Sequence, residues 1–332
     1  MTHRCGTVAL LGRPNVGKST LLNTYLKQKI AIVSPKPETT RETLLGILTL
    51  PQAQVLFIDT PGIYRGPKTL MAKHQIQSAR EALSRADIIL LITQASDGLT
   101  DQDKQIIKLL PRTAQAGTAS KEQSPRRTVP CFLGINKVDR IKKHLLLPQM
   151  AEAGKLYLFT DIFPISATQG ENIEPLLNAL IEALPEGPSL YPEDQLTDKP
   201  ARAIAQEIIR EKALIFTHEE VPHSVAVTIE EWRTGMAKSE SQSANRKRVG
   251  PKPIRDKRLA KRHIYIRANI YVERDSQKRI LIGKEGAVLK SIGQAARIEI
   301  EKLVDEPVYL DLWIKVAPNW RKDPTKLRAF GY

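Results

Sequence analysis

The chain has 332 residues, 41% of them hydrophobic, with a net charge of +15 and an isoelectric point near 9.7. That length suits two ordinary domains, and that apolar fraction can bury real cores, which excludes global disorder. No window reaches the ~18 apolar residues of a membrane-spanning helix, and the short apolar run after Arg4 leaves no room for a signal peptide and its cleavage site.

The first half alternates strand and helix. TVALL (Thr7 to Leu11) reads as a buried strand, and it runs straight into GRPNVGKST and a helix, KSTLLNTYL. The segment fits G-x-x-x-x-G-K-[S/T]: Gly12, Arg13, Pro14, Asn15, Val16, Gly17, Lys18 and Ser19, with Thr20 following. A strand before and a helix after make this a phosphate-binding loop. Its backbone N–H groups point at phosphates that only small residues allow so close. The helix N-terminus adds positive potential, Lys18 reaches the outer phosphates, and the Ser19 hydroxyl suits Mg²⁺.

PETTRE (Pro37 to Glu42) comes next. A threonine there, Thr40 in preference to Thr39, can bind Mg²⁺ and the γ-phosphate in the triphosphate state. The strand QVLFID ends in DTPG: Asp59, Thr60, Pro61 and Gly62, followed by Ile63. Asp59 then lies at the carboxyl edge of a sheet, where α/β proteins bind ligands. There it can hold Mg²⁺ through water, and the Gly62 N–H can meet a γ-phosphate. HQIQSAREALSRA is a helix and DIILLIT a strand.

CFLGIN ends in NKVD: Asn136, Lys137, Val138 and Asp139. Asp139 can accept both N1–H and the exocyclic amine of guanine, a donor pair that adenine lacks, so GTP is preferred to ATP. This disfavours an ATP-driven nucleic-acid enzyme. After DIFPIS, the backbone N–H groups of Ser166, Ala167 and Thr168 can meet guanine O6. Continuous apolar strands separated by helices predict a mostly parallel sheet covered on both faces. Cys5 and Cys131 lack metal or disulfide spacing and read as small buried hydrophobes in a soluble protein of the reducing cytosol. The six histidines form no ligand pattern.

The Pro-rich stretch Leu184 to Pro200 has no periodicity and reads as a connector. It separates a first domain at 1–185 from a second at 201–332, with the linker at 186–200. The second domain is basic: from Leu196 to Tyr332, 28 basic side chains stand against 18 acidic ones. Such a balance suits polyanions, nucleic acid first and an acidic membrane surface second. Its order is helix (ARAIAQEIIREKALIF), strand (SVAVTIEE), strand (HIYIRANIYV), helix (AVLKSIGQAARIEIEKLV) and strand (PVYLDLWIKV), with a short helix at the end. The apolar run ILI leads into G-x-x-G: Gly283, Lys284, Glu285 and Gly286. Close phosphate approach at the glycines, charge from Lys284 and Lys290, and apolar contacts from Ile282 and Val288 suit an RNA backbone clamp. Two insertions stand out. Pro111 to Arg127 is small, polar and aperiodic. A basic insertion lies at about 234–262; Lys238 to His263 holds ten basic and two acidic residues. It reads either as a solvated charged loop or as an arm that grips RNA phosphates.

The ordered set GRPNVGKS, TTR, DTPG, NKVD and SAT resembles the translation-factor-class GTPases, and its Pro and Asn in the phosphate loop resemble the Era branch. GKEG within this element order resembles a type II KH domain. EIIREK and LDLWIKV also match Era proteins, so the resemblance covers nearly the whole chain. It implies a P-loop GTPase domain followed by a smaller α+β KH domain, using GTP, GDP and Mg²⁺. Ile63 stands where Ras-like relatives carry glutamine, which implies slow hydrolysis. A K⁺ ion beside Asn15 is implied as a substitute for an arginine finger. The implied partners are small-subunit ribosomal RNA near its 3′ end and the small ribosomal subunit, whose assembly the family assists. Peripheral contact with the inner membrane face is implied as well, and a monomer is expected. The competing reading is a membrane-surface signalling GTPase; GKEG argues against it.

Overall fold

The computed structural model describes residues 2–34, 43–62, 70–111, 129–217, 224–235 and 263–330. They form two compact units, Met1–Pro200 and Ala201–Tyr332.

The first unit contains β1 (Arg4–Gly12), α1 (Lys18–Leu26), β2 (Leu44–Leu50), β3 (Ala53–Asp59), α2 (Leu70–Arg85), β4 (Ile88–Gln94), α3 (Asp101–Ile107), β5 (Cys131–Asn136), α4 (Leu146–Leu156), β6 (Asp161–Pro164) and α5 (Ile173–Ala183). The sheet order is β2-β3-β1-β4-β5-β6. Five strands are parallel, and β2 alone runs antiparallel, beside β3. The five expected strands are all present. Their central residues, Val8 to Leu11 and Ile88 to Ile92 among them, are fully buried, as strands with helices on both faces must be. The register places Leu10 beside Asp59 and Leu90, and Gln94 beside Asn136. The carboxyl ends of the strands therefore line up, and the loops that leave them meet.

Helices α3 and α4 cross between later strands, as the strand–helix alternation predicts. Two features were not expected. β2 is an added edge strand that turns into β3 at Pro51 and Gln52. Residues 186–200, expected as a linker, belong to the first unit. Ile47 N–H donates to Leu196 O (2.8 Å), which covers the β2 edge. The fully buried Gln54 side chain binds Leu190 N, Tyr191 N and Tyr191 O. Without a side-chain period such a strap reads as linker, although its backbone satisfies a sheet edge. Both cysteines are buried free thiols.

The second unit holds α6 (Ala201–Ile215), β7 (Ala226–Gly235), β8 (His263–Val272), α7 (Asp275–Ile282), α8 (Ala287–Val304), β9 (Val308–Val316) and α9 (Pro324–Ala329). β8 lies between antiparallel β7 and parallel β9. Ile264, Ile266, Ala268, Ile270 and Val272 are buried on the helix side, the period-two pattern of a strand covered on one face. The EIIREK stretch is buried in α6: Lys212 is ion-paired to Glu211 (3.0 Å) and to Glu299 of α8. The sequence reading differs in two places. The apolar run ILI is the last turn of a helix, α7, that the sequence reading did not include. Strand β7 continues through Gly235, so residues 234 and 235 are strand and not insertion. Most of both insertions, Thr39 and Thr40, and Ile63 lie outside the described residues. Among those described, no helix is long and apolar enough to cross a membrane and no group of three or more His, Cys, Asp or Glu could hold a metal.

Candidate nucleotide site and nucleic-acid loop

The turn from β1 into α1 is built on left-handed backbone. Gly12, Asn15 and Gly17 have φ of 148°, 63° and 105°. A Cβ on Gly12 would sit 2.3 Å from Ile92 O, and one on Gly17 would sit 2.1 Å from Asn136 Nδ2. Both positions therefore demand glycine on space as well as conformation. Lys18 is buried at the start of α1, and its ammonium donates to Gly12 O (3.2 Å) and Arg13 O (3.0 Å). Burial lowers its pKa, and the nearby Asp59 opposes that shift.

Asp59 is fully buried at the end of β3. Ser19 Oγ donates to its Oδ2 at 2.6 Å, whereas its Oδ1 has no hydrogen-bond partner among the described residues. Burial raises the Asp59 pKa against the opposing pull of Lys18 and Ser19. A buried carboxylate oxygen without a partner is costly. A hydroxyl and a carboxylate side by side are hard oxygen donors of the kind Mg²⁺ takes, so these residues fit that ion. Thr60 Oγ1 donates to Leu10 O (2.7 Å), fixing the turn. Pro61 and Gly62 are buried, and a Cβ on Gly62 would lie 2.5 Å from Pro14 N. DTPG thus rests directly on the phosphate loop.

Asn136 ties three loops together. Its Nδ2 donates to Val16 O (2.8 Å), and its Oδ1 accepts from Ala167 N (3.0 Å) and Lys137 N (2.8 Å). Lys137 Nζ returns to Asn15 O (2.6 Å) and to Gln94 Oε1 (2.6 Å). Val138 is buried, whereas Asp139 is exposed with its Oδ1 held by Ser166 Oγ at 2.6 Å. Of the N–H groups expected to meet guanine O6, Ser166 N donates to Glu171 O and Ala167 N to Asn136 Oδ1. Thr24 Oγ1 of α1 donates to Ala167 O (2.9 Å), joining this loop to the phosphate-loop helix.

Arg13 shows what the sequence reading missed. Its Nε donates to Asp103 Oδ1 (2.9 Å) and its Nη2 lies 3.3 Å from Asp97. Asp103 is fully buried and forms a capping box with Thr100 at the start of α3. The T-x-x-D spacing is a helix-start signal in the sequence. Nothing local reveals that its carboxylate also fixes the phosphate loop.

In the second unit, Gly283 (φ 71°) closes α7, with its N–H on Arg279 O (2.9 Å), and Gly286 (φ 80°) opens α8. A Cβ on Gly283 would lie 2.5 Å from Val288 Cγ2. Lys284, Glu285 and Lys290 are exposed, whereas Ile282 and Val288 are half-buried. The expected clamp residues thus lie on the turn Gly283–Gly286 and on the ends of α7 and α8 that flank it.

A mostly parallel sheet with these four loops at its carboxyl edge, followed in the chain by an α-β-β-α-α-β unit, defines a P-loop GTPase carrying a KH domain. The family models agree: residues 7–122 match "50S ribosome-binding GTPase" and residues 252–321 match "KH domain". A GTPase Era from Ruminiclostridium cellulolyticum is 40% identical over 332 residues, all of this chain and 98% of that protein. A crystal structure of Era in complex with MgGDPNP and nucleotides 1506–1542 of 16S ribosomal RNA superposes with a TM-score of 0.85 at 39% identity, over 99% of each chain. A point variant of Aquifex aeolicus Era bound to GDP·AlF4⁻ matches with a TM-score of 0.84, also at 39% identity and over 99% of each chain. The chain belongs to the Era family of GTPases.

Proposed function

We propose that the protein is a Mg²⁺-dependent GTP-hydrolysing switch whose KH domain binds small-subunit ribosomal RNA near its 3′ end. In this role it assists maturation of the small ribosomal subunit. The observation that carries the reading is the Ser19–Asp59 pair, in which Asp59 Oδ1 has no partner among the described residues, on the same sheet edge as the base-reading Asp139. Lys18 exchanges the carbonyls of Gly12 and Arg13 for the outer phosphates, and the loop N–H groups from Asn15 to Thr20 cradle the rest. Ser19 and Asp59 hold Mg²⁺, with Thr40 as a further ligand in the triphosphate state. Bound there, the ion neutralises charge on the β- and γ-phosphates. Gly62 N–H meets the γ-phosphate and, with Thr40, defines the segments that GTP orders and hydrolysis releases. Catalysis is positioning plus charge stabilisation, and with Ile63 after DTPG the intrinsic rate is slow.

The 40% identity to an Era GTPase supports the activity, and the RNA complex of a relative supports the ribosomal target. GKEG supplies the backbone clamp: Gly283 and Gly286 permit close phosphate approach, and Lys284 and Lys290 supply charge. Asn15 is where the family resemblance puts K⁺; equal hydrolysis rates in K⁺ and Na⁺ would discard that ion. Cytoplasmic location, a monomeric state and peripheral contact with the inner membrane face complete the reading, the last drawing on the basic excess. The decisive test is Asp139→Asn. GTP affinity is expected to fall by orders of magnitude with xanthosine triphosphate preferred; unaltered GTP affinity overturns the base-recognition claim.

A further inference from the structure

The sheet of the second unit has two faces, and the GKEG turn explains only the helix-covered side. On the opposite face the C-terminal segment covers one end: Trp320 and Phe330 pack with Ala226 and against Tyr271. The other end carries exposed rings. Tyr265 of β8 and Tyr309 of β9 are directly paired in register and their rings stack, 5.7 Å between centroids at 14°. Tyr309 is 60% exposed, and Trp313, four residues along the same face, is 56% exposed. The two outer rings lie about 13 Å apart along the strand. Exposed aromatic residues grouped on one face can mark an interaction site.

Cations stand beside the rings. Of the carboxylates described on this face, Asp311 and Glu231 are ion-paired, and Glu230 accepts from Thr228 Oγ1 (2.9 Å), whose strand neighbour Asn269 pairs in turn with Trp313. Asp311 accepts from Arg267 Nε (3.2 Å) and Tyr265 OH (3.1 Å), and Glu231 is paired to Arg267 (2.7 Å) and Arg233 (3.1 Å). Arg267 in turn lies 5.7 Å from the Tyr265 ring centre. Arg233 still has 73% of its side chain exposed, and Lys315 stands exposed beyond Trp313 on the same face. Open aromatic faces with cations beside them and neutralised carboxylates are the recognition chemistry of single-stranded nucleic acid: bases stack, and cations follow the backbone. A protein partner would also cover the rings, but open aromatic faces flanked by the long cationic side chains of Arg233, Arg267 and Lys315 suit stacked bases and phosphate.

We infer that the open end of this sheet face is a second RNA-binding surface, on which unpaired bases stack upon Tyr309 and Trp313 while Arg233 and Lys315 contact phosphate. It rests on the reading of the second unit as an RNA-binding domain, but it uses none of the GKEG residues. The test uses the full-length protein loaded with a non-hydrolysable GTP analogue and Mg²⁺. The probe is fluorescein-labelled RNA of 16S nucleotides 1506–1542, the fragment bound by a relative. Tyr309→Ala and Trp313→Ala are each expected to weaken binding about 5-fold to 100-fold, the range of one base–aromatic stack. Tyr309→Phe and Trp313→Phe should bind within about twofold of the parent, since a ring remains. Both residues are more than half exposed, and thermal unfolding checks that the variants stay folded. Tryptophan fluorescence should be quenched by the RNA, and Trp313→Phe should remove most of that quench while affinity holds. Parent-like affinity in both alanine variants, alongside loss in Gly283→Asp with Gly286→Asp, would overturn this surface and leave the KH reading standing. No loss in either set would overturn both. Capture of small ribosomal subunits that falls in the alanine variants while RNA affinity holds would replace RNA by a protein occupant.

Discussion

Asn136→Ala removes a single side chain and cuts three loops apart. Asn136 is 2% exposed, Val16 1% and Ala167 2%, so water cannot readily replace the lost bonds to Val16 O and Ala167 N. Each such orphaned group costs about 1–3 kcal/mol. The third bond, to the half-buried Lys137 N, is recovered more easily. The vacated space admits some solvent, so the lower part of the combined range applies, about 3 kcal/mol. For a unit of this size each kcal/mol moves Tm by about 2–4 °C, so calorimetry of the nucleotide-free protein should show a drop of about 6–12 °C in its first-unit transition. Stopped-flow release of a fluorescent GDP should accelerate by at least tenfold, because phosphate and base loops no longer hold each other in place. A Tm within about 2 °C of the parent, with unchanged GDP release, would show that the three loops are positioned independently of Asn136 and refute the reasoning.

Arg13→Ala leaves the fully buried Asp103 carboxylate without its cation; removing one partner of a buried pair costs about 3–5 kcal/mol. Arg13→Ala with Asp103→Ala should recover part of this in a thermal-melt double-mutant cycle, and strict additivity would mean the pair is not coupled. Burial raises the Asp59 carboxyl above the ordinary range near about 4, and Mg²⁺ takes only the ionised form. The Mg²⁺-dependent increment in GDP affinity should therefore disappear on acidification at a higher pH than for an exposed aspartate. Titrations with and without Mg²⁺ between pH 4 and 7.5 test this, and an increment that persists to the acid end contradicts it. Gly283→Ala forces a side chain onto left-handed backbone 2.5 Å from Val288 Cγ2. It should lower RNA affinity about tenfold with GTP hydrolysis unchanged; parent-like RNA binding would remove GKEG from the clamp.

What could be read in the chain itself was local. GRPNVGKS, DTPG, NKVD, SAT and GKEG are contiguous, because each chemistry is performed by one turn of backbone next to one strand or helix end. The parallel strands were legible because burial on both faces leaves them apolar throughout. Strand β2 escaped notice as the half-buried edge of a hairpin, whose apolar run merges into β3 across Pro51 and Gln52. Helix α7 escaped because eight residues ending in ILI give too little period to separate helix from strand.

Tertiary structure alone decided how the turns are held. Asn136 meets Val16 across 120 residues and Arg13 meets Asp103 across 90, partnerships that no spacing encodes because each partner looks locally like a loop residue or a helix cap. Gln54, a polar residue in an apolar strand, acquires its sense only when residues 190 and 191 arrive to bind it. The open Tyr309–Trp313 face likewise emerged only in the fold. In sequence its aromatics alternate as any strand's would, and their exposure shows only once the strands are paired and the C-terminal segment is seen to pack at the other end.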